Sequence, residues 1–219
     1  LPGGIPLVQG NRAMTLTTVT TGADVNLQVQ VAGRTLDVTP ANLGGRFKGL
    51  FEMRDSFLSG LRTDLDTLAA DLAGAVNTEH AAGYTTDGST GLNFFADLSG
   101  FTTNQARHLR VALTDAAQVA AAGNPDAAPG DNENALRIAA LDMGHTVGTS
   151  SDTFDEFFSQ VVATVGLEAA RNDLALTGAQ DATEQLQNLR DGFSGVSLEE
   201  EMIDLIQYQR GFESSAKFL

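Results

Sequence analysis

Histidines and carboxylates are the residues of this 219-residue chain that could bind a metal ion or transfer a proton. His80, His108 and His145 lie far apart, and none belongs to a His-x-x-x-His or His-Glu-x-x-His pair. A hypothetical metal site would have Glu79, His80 and Asp87 as its ligands. We favour the alternative that His80 lies at a helix C-terminus, where a positive charge is stabilised by the helix dipole.

A short acidic segment, Asp131 to Asn134, has the composition of a calcium-binding loop. It lacks the glycine at the sixth position and the glutamate at the twelfth that such a loop uses, so a solvated helix start is the better interpretation. The pairs Gly3-Gly4 and Gly44-Gly45 match no phosphate-binding or dinucleotide-binding motif and are interpreted as turns. No serine lies in a nucleophile-elbow motif. The sequence therefore predicts no catalytic residue, no cofactor and no metal site.

Composition excludes several classes of partner. The chain holds 28 acidic and 13 basic residues, a net charge of -15, so nucleic acid and anionic membrane surfaces are poor partners. It contains no cysteine, which excludes disulfide bonds and thiolate metal sites. No apolar run of about 18 residues occurs, so no membrane span is predicted. The chain begins with Leu1 and has no leader, so we expect a piece of a longer protein.

The elements that position these residues begin with a β-rich segment that extends to about residue 45. Its apolar residues alternate with polar ones, which predicts strands with one apolar face: Val25, Leu27, Val29, Val31, Leu36 and Val38. The threonine-rich segment Met14 to Thr21 predicts a neighbouring strand. Leu109, Val111 and Leu113 predict one more short strand. We therefore expect residues 1–45 and 106–114 to form one small antiparallel β domain.

Long helices are predicted for most of the remaining chain. From about Arg46 to His80, apolar residues recur at steps of three and four, which indicates a helix that packs along one side: Leu58, Leu61, Leu65, Leu68, Leu72 and Ala75. After a small-residue loop, a short helix is predicted to end near Met143. The same rhythm runs without a break from Phe154 to Phe193 and predicts one long helix.

The last predicted helix spans residues 197–219. Ser197 and Glu200 have the spacing of a capping box, and an apolar stripe continues from Leu198 to Leu219. Such a stripe without a local partner predicts that another subunit or protein covers it. For Tyr208 and Phe212, an intersubunit contact and core packing are equally good interpretations, whereas core packing is favoured for Phe94, Phe95 and Phe158. The predicted assembly interface consists of Leu198, Met202, Leu205, Tyr208, Gln209 and Phe212.

Together the elements predict an α+β fold that is mainly α. Residues 46–95 and 131–219 are expected to form a long-helix bundle beside the small antiparallel β domain, with residues 197–219 leading into a coiled coil.

Two segments resemble the hook-associated protein 1 family of bacterial flagellar proteins. Residues 195–210, Gly-Val-Ser-Leu-Glu-Glu-Glu-Met-Ile-Asp-Leu-Ile-Gln-Tyr-Gln-Arg, are similar to the C-terminal signature of axial flagellar proteins in the version found in that family. A second stretch, from Gly44 through Leu50-Phe51-Glu52-Met53-Arg54-Asp55 and Val76-Asn77-Thr78-Glu79-His80 to Asn93-Phe94-Phe95, is similar to the family's middle region. The terminal signature alone is shared with hook and rod proteins, but the combination in this order is specific.

The resemblance implies a non-enzymatic structural subunit of the hook–filament junction, located outside the cell in the flagellum. The implied partners are the hook protein, hook-associated protein 3, further copies of the chain and an export chaperone. It further implies that an N-terminal helix, absent here, pairs with the last helix, and that the extreme C-terminus is missing. About 35 residues separate Phe95 from Asp131, where some family members carry a sizeable outer domain, so a small decoration is expected.

Other functions stay open at this point. An enzyme would show a pocket with converging polar groups and perturbed acids, and we expect none. Another axial flagellar protein, of the hook or rod type, would share the terminal signature. An acidic helical surface adhesin would share the acidity and the absence of cysteine, but it should also show repeats, and we find none.

Overall fold

The computed structural model describes residues 8–21, 24–31, 33–38, 44–128, 130–144, 147–194 and 198–217. The chain divides into two compact units, Leu1–Val161 and Val162–Leu219. The predicted cap at Ser197, the setting of His145 and the end of the stripe at Leu219 lie outside the described residues. The fold is α+β and mainly α, as predicted.

The β part of the first unit consists of a short hairpin followed by a three-stranded antiparallel sheet. The hairpin strands are β1 (Val8–Gln9) and β2 (Arg12–Ala13), and the sheet strands are β3 (Thr15–Thr21), β4 (Asp24–Val31) and β5 (Arg34–Val38), in the order β3-β4-β5. The two alternating segments and the threonine-rich strand beside them are therefore confirmed. Because side chains alternate between the faces of a strand, the apolar residues of β4 and β5 share one face with Leu16 of β3, whereas Val19 lies opposite Asn26 on the other face.

The register of the sheet fixes which residues form its core. Val29 of β4 lies opposite Leu16 on one side and Leu36 on the other. Val29 and Val38 are buried, and the ring of Phe51, which follows the sheet in the chain, packs against them. Met14, Leu27 and Val31 pack against this small core, while Leu16 and Leu36 stay exposed.

One helical segment follows the sheet and carries Phe51. It comprises α1 (Gly45–Glu52), a π-helical turn (Met53–Phe57) and α2 (Leu58–Ala82). The helix predicted from about Arg46 to His80 is therefore confirmed, and the π turn within it is a feature that the apolar pattern did not show. π turns inside α-helices are rare and often occur where a protein has a special structural need.

The π turn lies at the contact between helix and sheet. Arg54, within the turn, donates a hydrogen bond to the backbone oxygen of Val25 at 2.6 Å. Its guanidinium group also lies 4.7 Å from the centre of the Phe51 ring, a cation–π contact. The π turn therefore positions Arg54 so that it contacts both the sheet, at Val25, and α1, at Phe51.

The most buried face of α2 is polar and small rather than leucine-rich. Its buried residues are Asp66, Ala69, Ala73 and His80. The predicted leucine seam lies one position earlier in each turn, and its members are half-buried or exposed. The reason is that loops pack against this side of α2, where its polar side chains bind their backbone by hydrogen bonds.

The segment after α2 is mostly loop, with α3 (Gln105–His108) and then α4 (Glu133–Gly144). The short helix predicted to end near Met143 is confirmed. The strand predicted at Leu109 to Leu113 is wrong, because this segment makes a single bridge, between Val111 and Phe95, and contributes nothing to the three-stranded sheet. Its backbone bonds go to the neighbouring loop: the Ala112 N–H donates to the oxygen of Phe94 at 2.8 Å.

Two helices complete the chain. α5 (Phe154–Ser194) has 41 residues and runs from the first unit into the second, and α6 (Leu198–Ala216) has 19. At about 1.5 Å per residue, α5 is roughly 60 Å long. The long helix and the last helix predicted from the three-four rhythm are thus confirmed. The division of the chain into a β domain and a helical bundle stays a prediction.

Candidate assembly surface

The second unit carries its apolar side chains in solvent. Among residues 162–217 whose side chains the structure describes, every one is exposed except Glu168, which is half-buried. Most of the stability of a helix in a globular protein comes from packing of its apolar face. The described part of this pair of helices therefore leaves its apolar side chains without cover in its own unit.

The terminal stripe is the part of this surface on α6, and we define it as Met202, Leu205, Tyr208, Gln209 and Phe212. The spacing of three and four residues places these side chains on one side of the helix. Phe212 is 76% exposed and Tyr208 is 80% exposed. Leu198, the sixth residue of the predicted interface, lies in α6, and the structure does not describe its side chain.

The energetic consequence of covering the terminal stripe follows from its area. Fully burying a leucine, methionine or phenylalanine side chain contributes about 1.5–3 kcal/mol. Three such residues, Met202, Leu205 and Phe212, lie in the stripe and are more than half exposed. Covering them would supply several kcal/mol, which is comparable with the cost of association that an interface must offset. The stripe is thus large enough to matter in assembly.

α5 also carries exposed apolar side chains. Leu186, Leu189 and Phe193 near its C-terminal end are exposed, and Phe193 is 92% accessible. The middle of the helix combines small residues such as Ala175 and Gly178 with the exposed leucines Leu174 and Leu176.

A capping box fixes where α5 begins. The N–H of Thr153 donates to Oε2 of Glu156 at 2.9 Å, and the N–H of Glu156 donates back to Oγ1 of Thr153 at 3.4 Å. The hydrogen bond from the Thr153 N–H, with that from its hydroxyl, lowers the pKa of Glu156. The Thr-x-x-Glu spacing carries this signal in the sequence, and sequence reasoning missed it.

A buried polar cluster around His80 holds the loops of the first unit to α2. The Nδ1–H of His80 donates to the backbone oxygen of Leu92 at 2.7 Å, and its Nε2 accepts from the N–H of Ala120 at 2.9 Å. Asn134 of α4 donates to the backbone oxygens of Glu79 and Ala120 at 2.9 and 2.8 Å. The side chains of His80 and Asn134 therefore bind backbone groups of three separate segments, at Glu79, Leu92 and Ala120.

This cluster corrects the expectation for His80. The residue does lie in the last turn of α2, but it is fully buried, and a ring nitrogen that accepts a backbone N–H carries no proton. His80 is therefore a neutral structural side chain and not a cation beside the helix dipole. Both of its ring nitrogens take part in hydrogen bonds, so His80 is not available as a ligand for the hypothetical metal site with Glu79 and Asp87. Within the described part of the chain, no group of three acidic or histidine residues could hold a metal ion.

The acidic segment before α4 is the start of a helix. The carboxylate of Asp131 accepts hydrogen bonds from the N–H groups of Glu133, Gly123 and Asn124, at 2.9, 2.7 and 3.0 Å. These donors, with the Glu133 N–H first, lower the pKa of Asp131. The interpretation as a helix start is confirmed, because α4 begins at Glu133. Asp131 also joins the loop at residue 123 to the helix.

Other predicted core positions gave a mixed result. Phe94 and Phe95 are half-buried, pack edge to face with ring centres 4.9 Å apart, and fit the core interpretation. Phe158 does not, since it is 49% exposed on α5. Asp66 was not singled out, although its carboxylate accepts from the N–H groups of Asn104 and Ala106 at 2.6 and 2.9 Å. No local spacing could have indicated a bond across about forty residues.

None of the described helices is both long enough and apolar enough to cross a membrane.

Comparison with known families places similarity at both ends of the chain. The family described as "Flagellar hook-associated protein FlgK helical domain" matches residues 1–95. The family described as "Flagellar basal body rod FlgEFG protein C-terminal" matches residues 192–219. The second match contains all of α6, so the terminal stripe lies within the segment that matches this family.

Individual relatives carry the same description. The chain is 27% identical over 164 residues to "Flagellar hook-associated protein 1" of Bacillus subtilis (strain 168), with 72% of this chain and 32% of the relative covered. It is 23% identical over 308 residues to the protein of the same name from Escherichia coli (strain K12), covering 100% of this chain and 56% of the relative. The protein of that name from Salmonella typhimurium is also 23% identical, over 311 residues, with the same coverage. The chain thus spans between a third and about half of the length of these relatives.

Proposed function

We propose that this chain is a structural component of the bacterial flagellum, of the hook-associated protein 1 type, and a subunit of the hook–filament junction. The matches of both ends of the chain to flagellar families and the names of its relatives support this proposal. In this proposal it acts outside the cell, with the hook protein on one side and hook-associated protein 3 on the other. It contacts further copies of itself and reaches the junction with the help of an export chaperone. Its role is structural, and we assign it no catalytic function and no cofactor.

The observation that carries the proposed mechanism is the exposed terminal stripe of α6. Its apolar side chains lack cover in their own unit, and they lie in the segment that matches the C-terminal family. When subunits stack, another helix covers the stripe, and the gain offsets the cost of ordering the helix. Assembly at the growing end of the structure is then the step that completes the folding of α6.

A hook or rod role is the second candidate, and the match of residues 192–219 to the rod and hook C-terminal family favours it. The match of residues 1–95 to the hook-associated helical domain favours the junction. The two roles differ in what is lost with the gene. Cells without a hook or rod subunit should make no hook, whereas cells without a junction subunit should make hooks that carry no filament.

Electron microscopy of flagella from cells that lack the full-length gene tests the proposal. We expect hooks without filaments. Reintroduction of the full-length gene should restore filaments, and so should a Leu136→Asp version, since Leu136 is exposed on α4. A Leu205→Asp version should fail, because a charge in the terminal stripe prevents its burial. Normal filaments from Leu205→Asp cells would contradict assembly through α6.

A further inference from the structure

A basic patch lies on the loop segment beside α2, in a chain whose net charge is -15. We define the patch by five exposed side chains: Phe101, Arg107, His108, Arg110 and Val111. Residues 98–114 contain these two arginines and no carboxylate. Among the described residues, neither arginine side chain forms an ion pair or a hydrogen bond. Their charges are therefore available to a partner.

The basic patch is held in place by backbone and ring contacts. Asp66 of α2 accepts hydrogen bonds from N–H groups at the start of α3, the short helix that carries Arg107. The N–H of Ala96 donates to the backbone oxygen of Arg110 at 2.9 Å. The rings of Phe101 and His108 stack with their centres 4.0 Å apart. A partner would therefore meet a surface that is already ordered, which lowers the cost of binding.

An acidic groove lies between α2 and α4. We define it by its lining residues: Ala70, Asp71, Gly74, Ala75, Thr78, Glu79 and Leu141. Its volume is about 310 Å³. Asp71 accepts a hydrogen bond from the N–H of Gly148, a neutral donor, and within the described residues no basic side chain pairs with Asp71 or Glu79. The groove thus combines a floor of small residues with two carboxylates that lack a cation.

The basic patch and the acidic groove lie on different sides of α2. Asp66 marks the side that holds the loops. Asp71 and Thr78 follow it by five and twelve residues, which places them about 120–140° round the helix from Asp66 at about 100° per residue. One chain therefore cannot bring its own patch into its own groove, but it can present both surfaces to two neighbours.

We propose that the basic patch of one copy enters the acidic groove of the next copy, with its arginines beside Asp71 and Glu79 and the ring of Phe101 on the floor of small residues. This inference rests on the proposed function, in which copies contact one another, and it names the surfaces of that contact. It leaves α6 to its own partner helix. Strongly acidic copies repel each other, and this contact places cations where carboxylates would otherwise meet.

The symmetry of this contact suits a growing structure. Each copy contributes its patch to one neighbour and its groove to another, so the two surfaces in each contact are different. Contacts of this kind repeat into rings or open helical arrays, whereas contacts between identical patches stop at a dimer. A single type of contact on either side of α2 is then sufficient to place copies side by side.

Disulfide cross-linking in assembled flagella tests the proposal, since the chain holds no cysteine. Val111→Cys in the patch and Thr78→Cys in the groove are introduced together into the full-length gene. After oxidation, a non-reducing gel should show a ladder of dimers, trimers and larger species. Each single substitution should give no ladder, and neither should Val111→Cys combined with Thr177→Cys, because Thr177 is exposed on α5 outside both surfaces.

Charge reversal in the purified 219-residue chain tests the pairing itself. Circular dichroism first establishes that each variant folds, and the rate of cross-linking of the same cysteine pair is then measured. Arg110→Glu and Glu79→Arg should each lower that rate on the order of tenfold, because like charges would meet, and the chain that carries both should recover it. Arg171→Glu, at an exposed position on α5, is the control for the change in net charge and should leave the rate unchanged.

The possible failures separate this inference from the proposed function. If flagella with normal filaments give no ladder from the Val111 and Thr78 pair, or if the doubly reversed chain does not recover its rate, the groove does not receive the patch. A ladder or dimer from Val111→Cys alone would show that identical patches meet, which also overturns the inference. Normal filaments on cells without the gene would instead contradict the proposed function.

Discussion

At the scale of single residues, the first unit is organised by side chains on α2 that bind distant loops. Asp66 holds the start of α3, and Asn77 exchanges two hydrogen bonds with the backbone of Phe95 at 2.8 and 3.1 Å. His80 joins the loops at Leu92 and Ala120. Sequence reasoning located His80 in the last turn of a helix, but it could not identify the partners, because each lies at least twelve residues away in a segment without regular structure.

Replacement of His80 by leucine should destabilise the first unit by about 2 kcal/mol or more. The substitution leaves the Leu92 oxygen and the Ala120 N–H buried without partners, and each such loss costs about 1–3 kcal/mol. Urea unfolding monitored by circular dichroism measures the change. His108→Tyr is the control, since His108 is exposed and a tyrosine keeps an aromatic ring against Phe101, 4.0 Å away, so stability should change by less than about 0.5 kcal/mol. Equal effects of the two substitutions would contradict a special role for His80.

Asp131 should make stability depend on pH. Its backbone donors hold its pKa in the folded chain below the ordinary value of 3.8, so the unfolded chain takes up a proton first as the pH falls. The stabilisation is complete above that ordinary value and is lost as the pH falls through it towards the lower folded value. Asp131→Asn should therefore lose less stability than the wild type between pH 6 and about pH 3 in urea unfolding.

The control for that measurement is Asp142→Asn, on the exposed side of the same helix. It should follow the wild type over the whole range. If Asp131→Asn loses as much stability in acid as the wild type does, the backbone hydrogen bonds of Asp131 are not what lowers its pKa.

At the scale of elements, the periodicity of apolar residues predicted the strands and helices whose contacts repeat regularly along the chain. The alternation around Val29 gave the central strand, and the three-four rhythm from Phe154 gave a 41-residue helix. Alternation failed at Leu109 to Leu113, because three residues are too few to separate a strand from an extended loop with one bridge. The leucine pattern of α2 gave the helix but not its buried face, which the loops determine.

Removal of the capping box should weaken the start of α5. Thr153→Ala leaves the first N–H groups of the helix without a side-chain acceptor and should cost about 0.5–2 kcal/mol. Thr177→Ala is the matched control, since Thr177 is exposed within α5, and its hydroxyl donates to the preceding turn at 3.0 Å. Amide exchange at Glu156 should accelerate in the first variant only. Unchanged exchange there would show that packing, and not the cap, holds the first turn.

At the scale of the whole molecule, the two units differ in how many stabilising contacts each makes within itself. The first has a small core around Val29, Val38 and Phe51 and a set of buried hydrogen bonds. The second leaves almost all of its described side chains in solvent. The sequence indicated this difference through the apolar stripe of the last helix, for which it offered no local partner, but it could not show where a partner binds, since that depends on surfaces formed by the fold.

Amide exchange should therefore be fast in α6 of the dilute chain. We expect little protection from Met202 to Phe212 when the chain is monomeric, because the helix has few contacts that resist opening. Protection should rise with concentration as copies associate, and the rise should be absent in Leu205→Asp. Strong protection of these amides in a dilute monomer would contradict assembly as the source of their stability.

The contact between helix and sheet depends on the number of residues in the π turn, Met53 to Phe57. Each residue of an α-helix turns the chain by about 100°, so an insertion or deletion of one residue rotates everything before it by that angle. If the turn lost one residue, a regular helix would result. The sheet and Phe51 would then rotate together relative to α2, and Arg54 would lose the position from which it contacts both Val25 and Phe51. Homologous chains that keep this sheet are therefore expected to tolerate exchanges of side chain in the turn far better than any change in its length.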